Sequence, residues 1–306
     1  MIPVSTYSIV ARDPDTGEMG VAVQSHYFSV GSIVPWVEPG VGVVATQALV
    51  EVSYGPRGLK LMSDGKSSAE ALEMLLDLDE KSEVRQVAML DCGGRVAAHT
   101  GDMCIPEAGQ LIGDNYSVQA NMMLNDRVWS SMAYAFEGSE GDLAERMLRS
   151  LEAAESAGGD IRGRQSSAIV IVEGEVLDRP WEGMIMDIRV EDHPDPLIEL
   201  RRLVRLRRAY RHGDEGDVAL EEGDSQRARA EFTVAQDLAP DKVELLFWRG
   251  VSLVNCGAVR EAIPVFERVF EEGGNWAMLI PRLSRVGMLR ADPDLVERII
   301  SLSLDN

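Results

Sequence analysis

Long hydrophobic runs are missing from this 306-residue chain. No stretch of about 18 consecutive apolar residues occurs, so no membrane-spanning helix is expected. The first residues lack a basic region followed by an apolar one, so no signal peptide is read there. Cysteine is scarce: Cys92, Cys104 and Cys256 are odd in number and scattered, which argues against a disulfide scaffold and suits a reducing cytoplasm. The four histidines, His26, His99, His193 and His212, lie far apart, and neither C-x-x-C nor H-E-x-x-H occurs. No metal site is expected, because zinc sites usually carry local ligand pairs. Positive charge is in deficit, with 30 Lys and Arg against 51 Asp and Glu, a net charge of −21. Nucleic acid and anionic membranes both select cationic surfaces, so neither is an expected partner. Phosphate-cradling loops are missing too. Gly40-Val41-Gly42 lacks the remaining spacing and the following helix of a dinucleotide fingerprint, so neither ATP nor NAD, nor any other cofactor, is expected. No G-x-S-x-G elbow precedes a helix, and Ser8, Ser166 and His193 make no serine-hydrolase triad.

What is present is a soluble globular composition, 45% hydrophobic and 26% charged, in a chain long enough for one large or two medium domains. The first thirty residues read as a β-hairpin. Thr6–Arg12 and Met19–Ser25 are rich in β-formers, and Asp13-Pro14-Asp15-Thr16-Gly17 between them is dense turn chemistry. Ser29–Val34 and Gly40–Thr46 read as short β-like runs broken by Pro35 and Pro39. Tyr54–Ser63 and Ser67–Asp77 read as helices, the second capped by Ser67 or Ser68. Val84–Leu90 and Arg95–His99 form a second hairpin, and Tyr116–Gln119 a further strand. Asp126–Phe136 and Asp142–Ala157 form a second helix pair, and Gln165–Val172 and Ile185–Val190 the last strands. Strands grouped in hairpins and helices grouped in pairs predict an α+β fold, two stacked antiparallel sheets between helix layers: an α-β-β-α sandwich over residues 1–193.

Glu191-Asp192-His193-Pro194-Asp195-Pro196 forms an extended junction. A linking helix over 194–212 follows, carrying Arg201, Arg202, Arg205, Arg207, Arg208 and Arg211 as a solvated or salt-bridging face. Residues 213–306 contain an internal repeat: Gly216, Gly223, Ala228 and Phe232 recur 34 residues later as Gly250, Gly257, Ala262 and Phe266. This resembles the tetratricopeptide repeat. Pro240 lies where that motif ends its second helix, and the second copy departs from it with Gly274. Asn275–Leu289 and Pro293–Leu302 read as a third, degenerate pair.

The chemistry to look for begins at Thr6. A hydroxyl residue at the head of a buried hairpin can act as a nucleophile with its own α-amine as base. A free α-amine has a pKa near 8 and accepts a proton at neutral pH, whereas an amide nitrogen does not. Met1–Ser5 stand in front of Thr6. Bulky Ile2 disfavours removal of Met1, so the available route to a free amine is self-cleavage between Ser5 and Thr6.

The runs TYSIVARDP, GVAVQSHYFSVGSIVPW, GVGVVATQALVEVSYGPRGLKLM, RQVAMLDCGGRVAAHTG, YSVQANMM, GRQSSAIVIV and DIRVEDHPDP closely resemble domain-of-unknown-function family 1028, a member of the N-terminal-nucleophile (Ntn) hydrolase superfamily. The resemblance covers about Thr6 to Leu206. It implies the αββα fold, amide hydrolysis, and Thr6 in the nucleophile's position. It also implies an oxyanion-binding backbone N–H near Gln47 and an amide from Asn121 directed at the same oxygen or at the amine. Gln165 and Ser166 are expected on the rim of the site. Superfamily proteases carry an acid, a serine and a basic residue after the second strand. Here Gln24-Ser25-His26 replaces the acid and no lysine occurs in 29–40, leaving Ser25 to contact substrate and His26 to handle protons. His99, at the end of a hairpin strand, is a further candidate.

The expected function is therefore an amidohydrolase acting on a small amide or peptide through Thr6. The alternatives are a non-catalytic ligand-binding protein on the same scaffold, or partner docking through the helical repeats. A homo-oligomer is expected.

Overall fold

Strand alternation in the first 190 residues sorts side chains between two antiparallel sheets in the computed structural model, which describes residues 4–273 and 275–303. The first sheet contains β1 (Thr6–Arg12), β2 (Met19–Ser25), β7 (Gly109–Gly113), β8 (Tyr116–Asn121), β9 (Ser166–Val172) and β10 (Met184–Val190), in the order β10-β9-β2-β1-β8-β7. The second contains β3 (Pro35–Glu38), β4 (Gly42–Ala48), β5 (Arg85–Asp91) and β6 (Val96–Thr100), in that order. Inward residues of both sheets, among them Val10, Val21, Val23, Val43, Ala45, Ala88, Leu90 and Ala168, form one buried cluster.

Helices α1 (Tyr54–Ser63) and α2 (Ser68–Leu78) cover the second sheet, where Tyr54, Leu59, Leu72 and Leu75 meet Val44, Val87 and Met89. Helices α3 (Val128–Glu137) and α4 (Leu143–Ser156) pack on β8, β1 and β2. Ser67 caps α2 in a reciprocal pair: its Oγ accepts from Glu70 N, and the Glu70 carboxylate accepts from Ser67 N.

Three segments differ from the expectation. Ser29–Val34 is not a strand but a 3-10 turn at Val30–Ser32, entered through Ser29 in the left-handed region at φ 56°. A Cβ at Gly31 would stand 2.7 Å from Ala168 Cβ, so the turn lies flat on β9. Pro35 starts a strand where a break was expected, because β3 is an edge strand and its first residue needs no N–H for the ladder. The other edge strand, β7, was not anticipated; Leu111 and Ile112 within it are exposed, so the alternation that marks buried strands is absent.

The chain divides into two units, residues 1–203 and 204–306, within helix α5 (Pro196–Glu221). The first turns of α5 belong to the first unit. Leu197 and Leu200 are buried there, Pro196 O accepts from Ser167 Oγ at 3.0 Å, and Arg201 pairs with Glu145 and Glu152 of α4. The basic face is thus partly a salt-bridging one.

The second unit is helical: the remainder of α5, then α6 (Ser225–Leu238), α7 (Val243–Asn255), α8 (Val259–Glu271), α9 (Trp276–Arg285) and α10 (Pro293–Ser301). The 34-residue repeat is visible as repeated contacts. A Cβ at Gly216 would stand 2.6 Å from the Phe232 ring, and one at Gly250 2.9 Å from the Phe266 ring. Gly223 and Gly257 both turn through positive φ, at 82° and 79°. Gly274 lies outside the described residues. Among the described residues, ten α-helices occur and none is long and apolar enough to cross a membrane.

Candidate active site

The space between the sheets has two unlike ends. Along β1 the inward residues run Thr6, Ser8, Val10; along β2, Ser25, Val23, Val21; along β4, Gln47, Ala45, Val43; along β5, Gln86, Ala88, Leu90; along β8, Asn121, Gln119, Ser117. Apart from Ser117, which bonds back to Gln119 Oε1 at 3.0 Å, one end is apolar, and the other is built of hydroxyls and amides, all buried.

The amides satisfy one another. Ser8 Oγ donates to Gln47 Oε1 at 2.6 Å and accepts from Gln119 Nε2 at 2.6 Å. Gln47 Nε2 donates to Gln86 Oε1 at 2.7 Å and Asn121 Nδ2 to the same oxygen at 3.0 Å. Gln86 Nε2 donates to Thr100 Oγ1, Ala120 O and Gly109 O at 2.8, 2.9 and 3.2 Å.

Thr6 heads this end. It is fully buried, pairs with Ser25 on one side and Asn121 on the other, and donates from Oγ1 to Val4 O at 2.9 Å. Its own carbonyl accepts from Gln47 Nε2 at 3.3 Å. The preceding carbonyl, Ser5 O, accepts from Ser25 Oγ and from Arg162 Nη2, the latter at 3.4 Å. Ser5 Oγ donates to Asn121 O at 2.9 Å. Arg162 is aimed by Asp160, whose buried carboxylate takes Arg162 Nε at 3.1 Å and Nη2 at 2.9 Å. Asp160 also accepts from His26 N at 3.3 Å. The His26 ring lies at this loop, its buried Nδ1 without a hydrogen-bond partner among the described residues. An apolar cavity of about 150 Å³, lined by Leu49, Val84, Met103 and Ile105, borders Ala48 and Asn121.

Of the residues singled out from sequence, Thr6, Ser25, Gln47 and Asn121 come together, with His26 at the rim. The amides of Gln47 and Asn121 are committed to the network; neither donates to Ser5 O, and Asn121 contributes its main-chain carbonyl instead. Ser166 holds the turn after β2, donating to Tyr27 O at 2.5 Å and accepting from Val30 N at 3.0 Å. Gln165 reaches away to Asp192 at 3.1 Å. His99 is not brought to Thr6: it pairs with Val87, on the face of β5 turned toward α1 and α2, and its Nε2 meets Ser82 O at 2.8 Å. One residue on, Thr100 faces inward to Gln86, because successive side chains of a strand point to opposite faces. Ser5, Asp160, Arg162 and Gln86 were missed. The one local signal for Asp160 and Arg162 was an acid and a base two apart in a glycine-flanked loop.

On the other face of β1, burial and the neighbouring Glu155 carboxylate push the Tyr7 phenol well above its ordinary range, so it stays protonated and donates to Glu155 Oε2 at 2.7 Å. Gln24, which pairs with Tyr7, is also buried there, and among the described residues neither its amide nitrogen nor its oxygen has a partner. Gln24→Met is expected to raise unfolding stability by about 1 kcal/mol, because an unsatisfied buried amide is replaced by an apolar side chain of similar length. The midpoint of urea denaturation measures this.

The protein is thus built on an antiparallel two-sheet unit with a buried cluster of hydroxyls and amides at Thr6. The chain belongs to the family described as Family of unknown function (DUF1028), whose match covers residues 6–200. Its fold is similar to the crystal structure of protein SPO2555 from Silicibacter pomeroyi, assigned to the same family. The TM-score is 0.60 at 29% identity, covering 66% of this chain and 88% of that one. Curated proteins gave no match.

Proposed function

We propose that this chain is an amidohydrolase of the N-terminal-nucleophile superfamily that frees Thr6 by cutting its own Ser5–Thr6 bond and then hydrolyses a small amide or peptide. In this reading the first unit is the superfamily's four-layer αββα sandwich and the helical unit is a short tetratricopeptide-like array.

The observation that carries the proposal is the grip on Ser5 O. A carbonyl immediately before a buried threonine accepts from a hydroxyl and a guanidinium, both from elements distant in sequence. Donors so placed stabilise charge that develops on oxygen when the carbonyl is attacked. Thr6 Oγ1 attacks the Ser5 carbonyl carbon, the C–N bond breaks, and the hydroxyl proton passes to the departing Thr6 nitrogen. The product is an ester between Ser5 and Thr6 Oγ1. Water hydrolyses it to a Ser5 carboxylate and a Thr6 bearing a free hydroxyl and a free amine. That amine then takes the hydroxyl proton as Thr6 attacks the substrate amide, and an acyl-enzyme forms that a second water resolves. Arg162 and Ser25 serve the oxyanion in both rounds.

Mass spectrometry of the purified chain tests this. The wild type is expected to begin at Thr6 and the Thr6→Ala chain to keep residues 1–5. A wild type that keeps them under all conditions, with activity indifferent to Thr6→Ala, sinks the proposal.

A further inference from the structure

Val4 and Ser5 are held as a bound ligand would be held. Val4 N donates to Ala48 O at 2.8 Å and Val4 O accepts from Ala48 N at 3.0 Å, an antiparallel bridge of one residue. The Val4 side chain is buried in the apolar cluster between the sheets. Ser5 is buried as well, its hydroxyl on Asn121 O and its carbonyl on Ser25 Oγ and Arg162 Nη2. Every group that grips the two residues lies within the matched family region, whereas Val4 and Ser5 lie outside it, since the match begins at Thr6. The receiving backbone is itself unusual. Ala48 and Met122, which follow Gln47 and Asn121, are two of the four non-glycine residues at positive φ among the described residues, at 68° and 57°. Backbone held in that region clusters at ligand-binding sites.

We infer that this slot is the acyl-binding site of the enzyme, and that it selects an extended peptide whose last two residues before the scissile bond are an aliphatic residue and a serine-like one. The inference rests on Thr6 being the nucleophile. The aliphatic side chain takes the place of Val4, and its backbone N–H and C=O bridge Ala48. The small hydroxyl side chain donates to Asn121 O. After cleavage the carboxylate faces Arg162 and Ser25, donors suited to an anion. Until the chain is cut, Val4 and Ser5 fill the slot and block it.

The test uses the chain that begins at Thr6, obtained by self-cleavage or by expression behind a removable leader, with acetyl-Val-Ser bearing a free carboxylate as the probe. Titration calorimetry is expected to show acetyl-Val-Ser binding at least about tenfold more tightly than acetyl-Val-Phe or acetyl-Asp-Ser, with Arg162→Gln weakening all three probes alike, because each carries the carboxylate that Arg162 meets. Equal binding of the three probes, or none, overturns the inference. It does so even if Thr6-dependent hydrolysis of another amide shows the proposed activity to be right. Selective binding without turnover of any amide leaves the slot standing and removes the enzyme reading. A Thr6-headed chain that is unfolded by circular dichroism also overturns the inference, because a ligand slot has to stand without its occupant.

Discussion

The Ser25→Ala chain is expected to cut its Ser5–Thr6 bond about 10²–10³-fold more slowly than the wild type, the loss seen when one donor to a developing oxyanion is removed. Ser25 Oγ makes the closer of the two contacts to Ser5 O, and both its position and its burial are fixed by its pairing with Thr6 and Ser166 on the flanking strands. Ser25→Thr keeps the hydroxyl and is expected to restore most of the rate. That restoration separates a chemical role from a packing one, since threonine is no better a space-filler than alanine in a site shaped for serine. Arg162→Gln is expected to slow the reaction less, because its contact to the same oxygen is 3.4 Å long. Intact mass followed over time after purification reads all three. A Ser25→Ala chain that loses residues 1–5 at the wild-type rate removes the oxyanion role assigned to Ser25.

Gln86→Leu is expected to cost about 3–5 kcal/mol of unfolding stability, against a total of about 5–15 kcal/mol for a typical domain. The side chain carries five hydrogen bonds from the middle of the buried network. Leucine fills much of the volume but leaves Asn121 Nδ2 and the carbonyls of Gly109 and Ala120 without the donor or acceptor they now share. Each buried polar atom so stranded costs about 1–3 kcal/mol. The opposite sign expected for Gln24→Met makes the pair informative, because both residues are fully buried glutamines on strands and only the partners differ. Urea unfolding with both variants side by side measures the contrast.

The strand and helix grouping of the first unit was legible because hairpins and helix pairs write their periods into local sequence. Thr6–Arg12, Met19–Ser25 and Tyr54–Ser63 are matched residue for residue, and the other periodic elements shift by one or two positions at their ends. The edges were not legible. β7 is half exposed, and Ser29–Val34 looks extended until Gly31 is seen against Ala168. The site divides in the same way. Thr6 stood out because its chemistry is local. The fact that Arg162 reaches a carbonyl 157 positions away is a product of tertiary folding, and no spacing within Asp160-Ile161-Arg162-Gly163 announces it. Ser8, Gln86 and Gln119 read as ordinary polar strand residues, because their meaning depends on which strands face one another.

The uneven interior between the sheets also bears on how the strands find their pairing. Hydrophobic contacts alone tolerate a strand sliding by two residues, since the same face still turns inward. Such a slip in β4 or β5 would carry Gln47 or Gln86 toward the valines and leucines of the opposite end, stranding an amide where nothing can bond it. The amide end therefore works as a combination lock on alignment. Strands β1, β4, β5 and β8 have to arrive in step before all of its amide hydrogen bonds close, and the alignment that closes them is the one that brings Thr6 beside Asn121.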